Sequence, residues 1–223
     1  MANPRPKLLG ELVVALGAVA VFLSLAAAAA TGEAAGFDAS VRGHIHSVSF
    51  PALTYVMRGF TTVGEGVFLV AFGALIVWRL VVAGRRSEAL FFAVAALGAE
   101  LIDQLLKLLF HRARPEAFFG TSPENFSFPS GHALESLCFY LVLAEIFDPE
   151  WPRRRRLFAR AVAVLFALLI GVSRIYLGIH YPTDVLAGYA AAIAWLAVLH
   201  YFRKSRSRQE DTPLLENRGR IDY

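Results

Sequence analysis

From Leu12 to Ala30 the chain runs for nineteen residues without a charged side chain, about the length a helix needs to cross the ~30 Å hydrocarbon core of a bilayer. Inside that core every backbone N–H and C=O must find a partner within the protein, so such a run is confined to a helix. Arg5 and Lys7 precede it and alanines close it, as in a secretory leader, but a leader's apolar stretch usually covers only ~7–15 residues. The run therefore reads as a membrane span. Composition agrees: 57% of the 223 residues are hydrophobic and mean hydropathy is +0.52, more apolar surface than one soluble core uses.

Further apolar stretches cover residues 62–82, 88–111, 131–147, 157–175 and 183–202, each bounded by charge, Gly or Pro. The expected fold is all-α and polytopic, with six transmembrane helices. Glu65, Glu100, Asp103, Glu135 and Glu145 fall in or near these stretches and, being costly in lipid, should face the bundle interior, a watery cavity or an interface. Between the first and second spans, Phe37, Val41, Ile45 and Val48 recur at helical spacing opposite Asp38, Arg42, His46 and Ser49. That pattern predicts a short interfacial helix, either lying in the headgroup layer or covering the bundle. Residues 1–202 form one domain, and the polar, mixed-charge stretch 203–223 reads as a disordered tail.

Loop charge sets the orientation. Arg5 and Lys7, Arg85 and Arg86, Arg153 to Arg156, and Arg203, Lys204, Arg206 and Arg208 all fall on one side of a six-span chain. The positive-inside rule makes that side cytoplasmic, with both termini there. The net charge of +4 arises largely from these arginines, and it points to topology and anionic headgroups before nucleic acid. No nucleic-acid partner is expected.

Three polar motifs fall on the opposite side. Lys107 and Arg114 are seven residues apart, about two helical turns, and Pro115 marks the exit from the third span. By itself this is the pattern of cations snorkelling at a membrane boundary. Asp103 and His111, four residues on either side of Lys107, are placed to hold its ammonium as supporting residues. In Pro129-Ser130-Gly131-His132 the proline suits a helix start, where unpaired N–H donors make an anion site; a plain turn opening a span fits the same four residues. Ser173-Arg174 ends the fifth span, and His180 stands four residues before Asp184. The Asp184 carboxylate can accept from one ring nitrogen of His180 and leave the other free to attack phosphorus, while Arg174 can bind two phosphate oxygens.

KLLFHRARP, PSGH and SRIYLGIHYPTD, in this order, resemble the three-part signature of the type 2 phosphatidic acid phosphatase superfamily, with no departure at the signature positions, and the resemblance spans roughly residues 60–200. It implies a metal-independent phosphatase with no cofactor, in which His180 is the nucleophile, His132 the general acid and Asp184 the group that orients His180. Lys107, Arg114, Arg174, Ser130 and Gly131 would hold the phosphoryl oxygens, and a phosphohistidine would form. The substrate would be a lipid phosphate or pyrophosphate, namely undecaprenyl pyrophosphate, which leads slightly, phosphatidic acid or phosphatidylglycerol phosphate. A lipid A or sugar phosphatase on the same scaffold, or a noncatalytic lipid-binding or transport-related relative, are the alternatives. The implied location is a bacterial inner membrane with the site on its outer side. The six histidines and one cysteine show no zinc-type spacing, and no metal is expected.

Overall fold

The computed structural model describes residues 5–146 and 151–218, with side chains from 8 to 206. Among these residues the chain folds into eight α-helices and no strand. They are α1 (Arg5–Thr31), α2 (Ala35–Ser47), α3 (Pro51–Val63), α4 (Gly66–Val82), α5 (Arg86–Phe110), α6 (Gly131–Ile146), α7 (Arg153–Tyr176) and α8 (Pro182–Arg218). Four of them, α1, α5, α7 and α8, are long and apolar enough to cross a membrane, and α3 with α4 makes a fifth if that pair, bent by 51°, is one broken span. The remaining expected span coincides with α6. Its 16 described residues extend about 24 Å, short of a full hydrocarbon core.

The helix ends sort into two groups. At one end Arg85 donates to the Ile146 carbonyl at 2.6 Å, Arg203 pairs with Glu145 at 3.1 Å, and Lys204 pairs with Glu11. This end carries the four basic clusters. At the other end lie the end of α5, the starts of α6 and α8, and the end of α7, which carry the three motifs.

Packing explains how polar groups reach so apolar a bundle. α6 sits among α4, α5, α7 and α8, and α1 lies along α8. At these contacts Ala95, Ala99, Ala133, Ala167, Ala187 and Ala192 are buried, so backbones approach closely, the usual way helices associate where lipid removes the hydrophobic drive between them. Phe92, Phe139, Leu134 and Ile170 fill the remaining core. Leu9, Val13, Leu16, Val67, Leu109 and Phe158 point outward, as the side chains of a lipid-bathed surface must.

The expectations for the connecting segments need correction. The polar connection expected between spans one and two holds two helices, because Pro51 starts a second one at its first turn. The stripe of α2 divides: Phe37 and, at the C-cap, Val48 are exposed while Ile45 packs on buried residues of α6, α7 and the α7–α8 turn, and on the polar side Asp38 is 1% exposed. Arg42 donates to the carbonyls of Glu116 and Gly178, and His46 stacks on Phe118 at 4.0 Å. Asp38, Arg42 and His46 turn toward the protein because donors and acceptors on the loop after α5 and at the start of α8 stand opposite them. Phe118, Phe119 and Phe128 pack against His46, Tyr176 and the Phe22–Phe110 pair respectively. At the far end α8 runs on to Arg218, past residue 203 where a disordered tail was expected. Its Arg, Lys, Gln and Glu residues are good helix formers, and the ion pairs to Glu145 and Glu11 tie its first turn beyond the bundle. Residues 219–223 lie outside the described chain.

Candidate active site

A cavity of about 400 Å³ opens at the motif end, and Lys107, Arg114, Gly131, His132, Arg174 and His180 all line it. Asp103 and the carboxylates of Glu65, Glu100 and Glu135 complete the wall, which is where intramembrane acids were expected to turn. The motifs, separated by more than seventy residues of sequence, meet because α5, α6, α7 and α8 all begin or end at this level.

Lys107, on the last turns of α5, is buried, and its ammonium donates to Asp103 Oδ2 at 2.5 Å. One helical turn separates the two residues, so the pair forms within the helix. His111 does not join it. It takes a left-handed conformation at the α5 C-cap, and its ring packs edge-on against Phe126 at 4.6 Å, because the chain leaves the helix there and carries the imidazole away from Lys107. For the same reason Arg114 does not extend the Lys107 face of α5; it reaches the cavity from the extended segment beyond. Its Nη1 donates to the Ile179 carbonyl at 2.9 Å, and its Nε and Nη2 bond Asn125.

His180 is 1% exposed and held from both sides. Its Nδ1 faces Asp184 Oδ2 at 3.3 Å, while Nε2 lies 2.8 Å from Arg114 Nη1. An arginine is always a donor, so Nε2 is the acceptor and Nδ1 carries the proton that points to Asp184. The nitrogen facing the cavity therefore has its lone pair available, capped by a guanidinium that a phosphoryl oxygen can draw away. Burial, and then the Arg114 charge beside it, holds the imidazole well below the ordinary histidine range.

The second motif departs from expectation in one respect. The Phe128–Pro129 peptide is cis, and α6 starts two residues after the proline, with the Ser130 carbonyl accepting from Leu134 N–H at 3.1 Å. Ser130 N–H is therefore not free for an anion; it donates to the Asp184 carbonyl at 2.9 Å and ties the start of α6 to that of α8. Ser130 Oγ is buried without a partner, leaving Gly131 and His132 as the cavity-lining residues at this helix start. Opposite, Arg174 donates from Nη1 to Thr61 Oγ1 at 2.5 Å, and its buried Nε has no partner, so donor capacity remains for an oxyanion.

The bend between α3 and α4 helps close this pocket. Gly64 at the break lies so near α7 and α6 that a Cβ there would stand 2.4 Å from Ile170 Cγ2 and 3.3 Å from His132 Cδ2.

Several site residues were not foreseen. Arg112, between the two signature cations, donates to Asp184 Oδ1 at 2.6 Å and to Asp38 Oδ2 at 2.8 Å. Ser127 Oγ donates to Asp184 Oδ2 at 2.5 Å, and Asn125 anchors Arg114. In sequence these are a charged residue in a turn and polar residues in a loop. Only the amphipathic pattern of α2 carried a signal, and it marks a helix at the interface or over the bundle without pointing to the site.

A pocket lined by cations and histidines, placed at the head of a helical bundle whose flanks are leucine and valine, defines a membrane phosphatase for lipid-borne phosphates. Residues 88–208 match the PAP2 superfamily, and the chain belongs to that family. It is 30% identical over 174 residues to phosphatidylglycerophosphatase B of Bacillus subtilis, covering 77% of this chain and 86% of the relative. It is 26% identical over 148 residues to an undecaprenyl-diphosphatase of Sulfolobus acidocaldarius, covering 61% and 68% of the two chains. The crystal structure of the transmembrane PAP2-type phosphatidylglycerolphosphate phosphatase from Bacillus subtilis superposes with a TM-score of 0.79 at 27% identity, over 86% of this chain and 96% of that one.

Proposed function

We propose that this protein hydrolyses a lipid phosphate or pyrophosphate at the outer face of a bacterial inner membrane, with six spans, both termini cytoplasmic and a phosphohistidine intermediate on His180. The observation that carries the reading is the gathering of Lys107, Arg114, Arg174, His132 and His180 around one cavity. His180 Nε2 attacks phosphorus in line, the bond from phosphorus to the leaving oxygen breaks, and His132 delivers a proton to that oxygen. Water then attacks the phosphohistidine, His132 takes the proton, and inorganic phosphate leaves. Lys107, Arg114 and Arg174 hold the three equatorial oxygens, where charge gathers in the transition state. Asp184 keeps the His180 tautomer that leaves Nε2 free. No resident metal or cofactor takes part in this reading.

A second cavity of about 310 Å³ supports a substrate with a membrane-bound tail. It is lined by Leu69, Val70, Val77, Phe92, Leu97 and Phe139, and it shares Gly66, Glu100 and Glu135 with the phosphate pocket. A hydrocarbon chain lying there would leave its phosphate at the catalytic histidines. Phosphatidylglycerol phosphate joins undecaprenyl pyrophosphate at the head of the candidates, because the Bacillus subtilis relative matching 77% of this chain is named for it; phosphatidic acid follows.

The test is phosphate release by purified protein from phosphatidylglycerol phosphate, phosphatidic acid, undecaprenyl pyrophosphate and lipid A, with and without chelator. Turnover of at least one of the first three is expected, unchanged by chelator and abolished in His180→Ala. Full activity in His180→Ala would refute the nucleophile, and chelator-sensitive turnover would refute the metal-free mechanism.

A further inference from the structure

Asp38 lies on α2, 145 residues before Thr183 in sequence, yet it is 1% exposed and its side-chain hydrogen bonds lead to the catalytic end of α8, directly at Thr183 and through Arg112 to Asp184. Its Oδ1 accepts from Thr183 N–H at 3.0 Å; its Oδ2 accepts from Thr183 Oγ1 and from Arg112 Nη2, each at 2.8 Å. Arg112 Nη1 in turn donates to Asp184 Oδ1 at 2.6 Å and to Thr183 Oγ1 at 2.8 Å, and the guanidinium lies 4.0 Å over the Tyr181 ring. Asp184 Oδ2 is left to Ser127 Oγ, Tyr181 N–H and His180 Nδ1. One guanidinium therefore bridges two buried carboxylates and gives one arm to each.

We propose that Asp38 is a positioning residue for the His180–Asp184 pair, acting through Arg112; the proposal rests on the phosphatase reading above. An arginine beside a carboxylate tends to bind it with two parallel N–H bonds. Here that would draw both Asp184 oxygens to Arg112 and take Oδ2 from His180. Asp38 prevents this by engaging Nη2, so that only Nη1 reaches Asp184 and only Oδ1 is occupied. The carboxylate of Asp38 is itself held by the Thr183 N–H in the first turn of α8, where the positive end of a helix favours an anion. Tying α2 to the bundle would need only the Thr183 contacts; the Arg112 arm couples that tie to catalysis.

Asp38→Asn is expected to lower kcat about 10- to 100-fold on whichever lipid phosphate the wild type hydrolyses, with KM changed less than about 3-fold. In an Asp184→Asn background it should cause no further loss, since Oδ2 no longer has a role to protect. Wild-type kcat, a loss confined to KM, or a loss that multiplies undiminished with Asp184→Asn would overturn the proposal. If Asp38→Asn does not fold, Arg112→Lys decides, because a single ammonium cannot bridge both carboxylates; the same kcat-selective loss is expected, and unchanged kcat refutes the coupling. If wild type turns over no lipid phosphate, the phosphatase reading fails. The ¹⁵N resonances of the His180 ring still report the geometry: Asp38→Asn should shift Nδ1, and an unshifted Nδ1 would overturn the positioning role.

Discussion

Replacing Gly178 by alanine should unsettle the segment that delivers His180, by an amount that follows from two separate terms. Gly178 has φ +81°, and a left-handed conformation costs an L-residue about 1–2 kcal/mol. A Cβ there would also stand 2.4 Å from the Phe118 backbone nitrogen and 2.8 Å from Phe118 Cγ. No rotamer relieves a clash with backbone. Phe118 and Phe119 N–H both donate to the Leu177 carbonyl, and Arg42 bridges Glu116 and Gly178, so moving the loop away forfeits hydrogen bonds. Overpacking of this kind adds about 1–3 kcal/mol. Gly120 supplies the control: its φ is +92°, but nothing lies within 4 Å of its Cβ position. For a chain of this size each kcal/mol lowers Tm by about 2–4 °C. Gly120→Ala should therefore lower Tm by about 2–8 °C, and Gly178→Ala by a further ~2–12 °C, read by intrinsic fluorescence in detergent on intact protein. Phosphate release should fall in Gly178→Ala and persist in Gly120→Ala. Equal Tm losses in the two variants would show that contact with Phe118 carries no energy and would refute the reasoning.

Other consequences can be measured alongside. Protonating His180 removes the attacking lone pair, so kcat/KM falls as pH drops through its pKa; with that pKa held well below the ordinary histidine value of 6.5, the acid limb belongs on the acid side of 6.5. Arg114→Gln removes a repelling charge and should move the limb to higher pH as well as lowering the rate, and a limb that stays in place would contradict the assignment. Gly64→Ala presses on Ile170 and His132 at a cost of about 1–3 kcal/mol. It should lower kcat roughly 10-fold, with Ile170→Ala restoring part of the loss; full activity in Gly64→Ala would show that the α3–α4 bend does not shape the pocket.

Where side chains act through a local pattern, the sequence was readable. The Lys107–Asp103 pair follows from a four-residue step on one helix, and the His180–Asp184 pair from the same step at a helix start. The α1, α5, α7 and α8 spans follow from long apolar runs, since lipid admits little else.

What required the folded chain was every contact whose partners share no local period. Ser130 N–H went to a carbonyl on α8, His111 left its helix face at a left-handed cap, and Asp38 of α2 turned inward to meet Arg112 and Thr183. Periodicity tells which residues share a face but not what that face meets. On a surface bathed in lipid an apolar side can lie outermost, so the seating of α2 was decided by where Asp38 finds buried donors and where Ile45 finds apolar neighbours. The sequence alone thus determined a membrane-embedded helical chain bearing the parts of a phosphate site. The tertiary packing decided that these parts face one cavity, and that a helix outside the signature braces it, because a buried charge is stable only where its partners already stand.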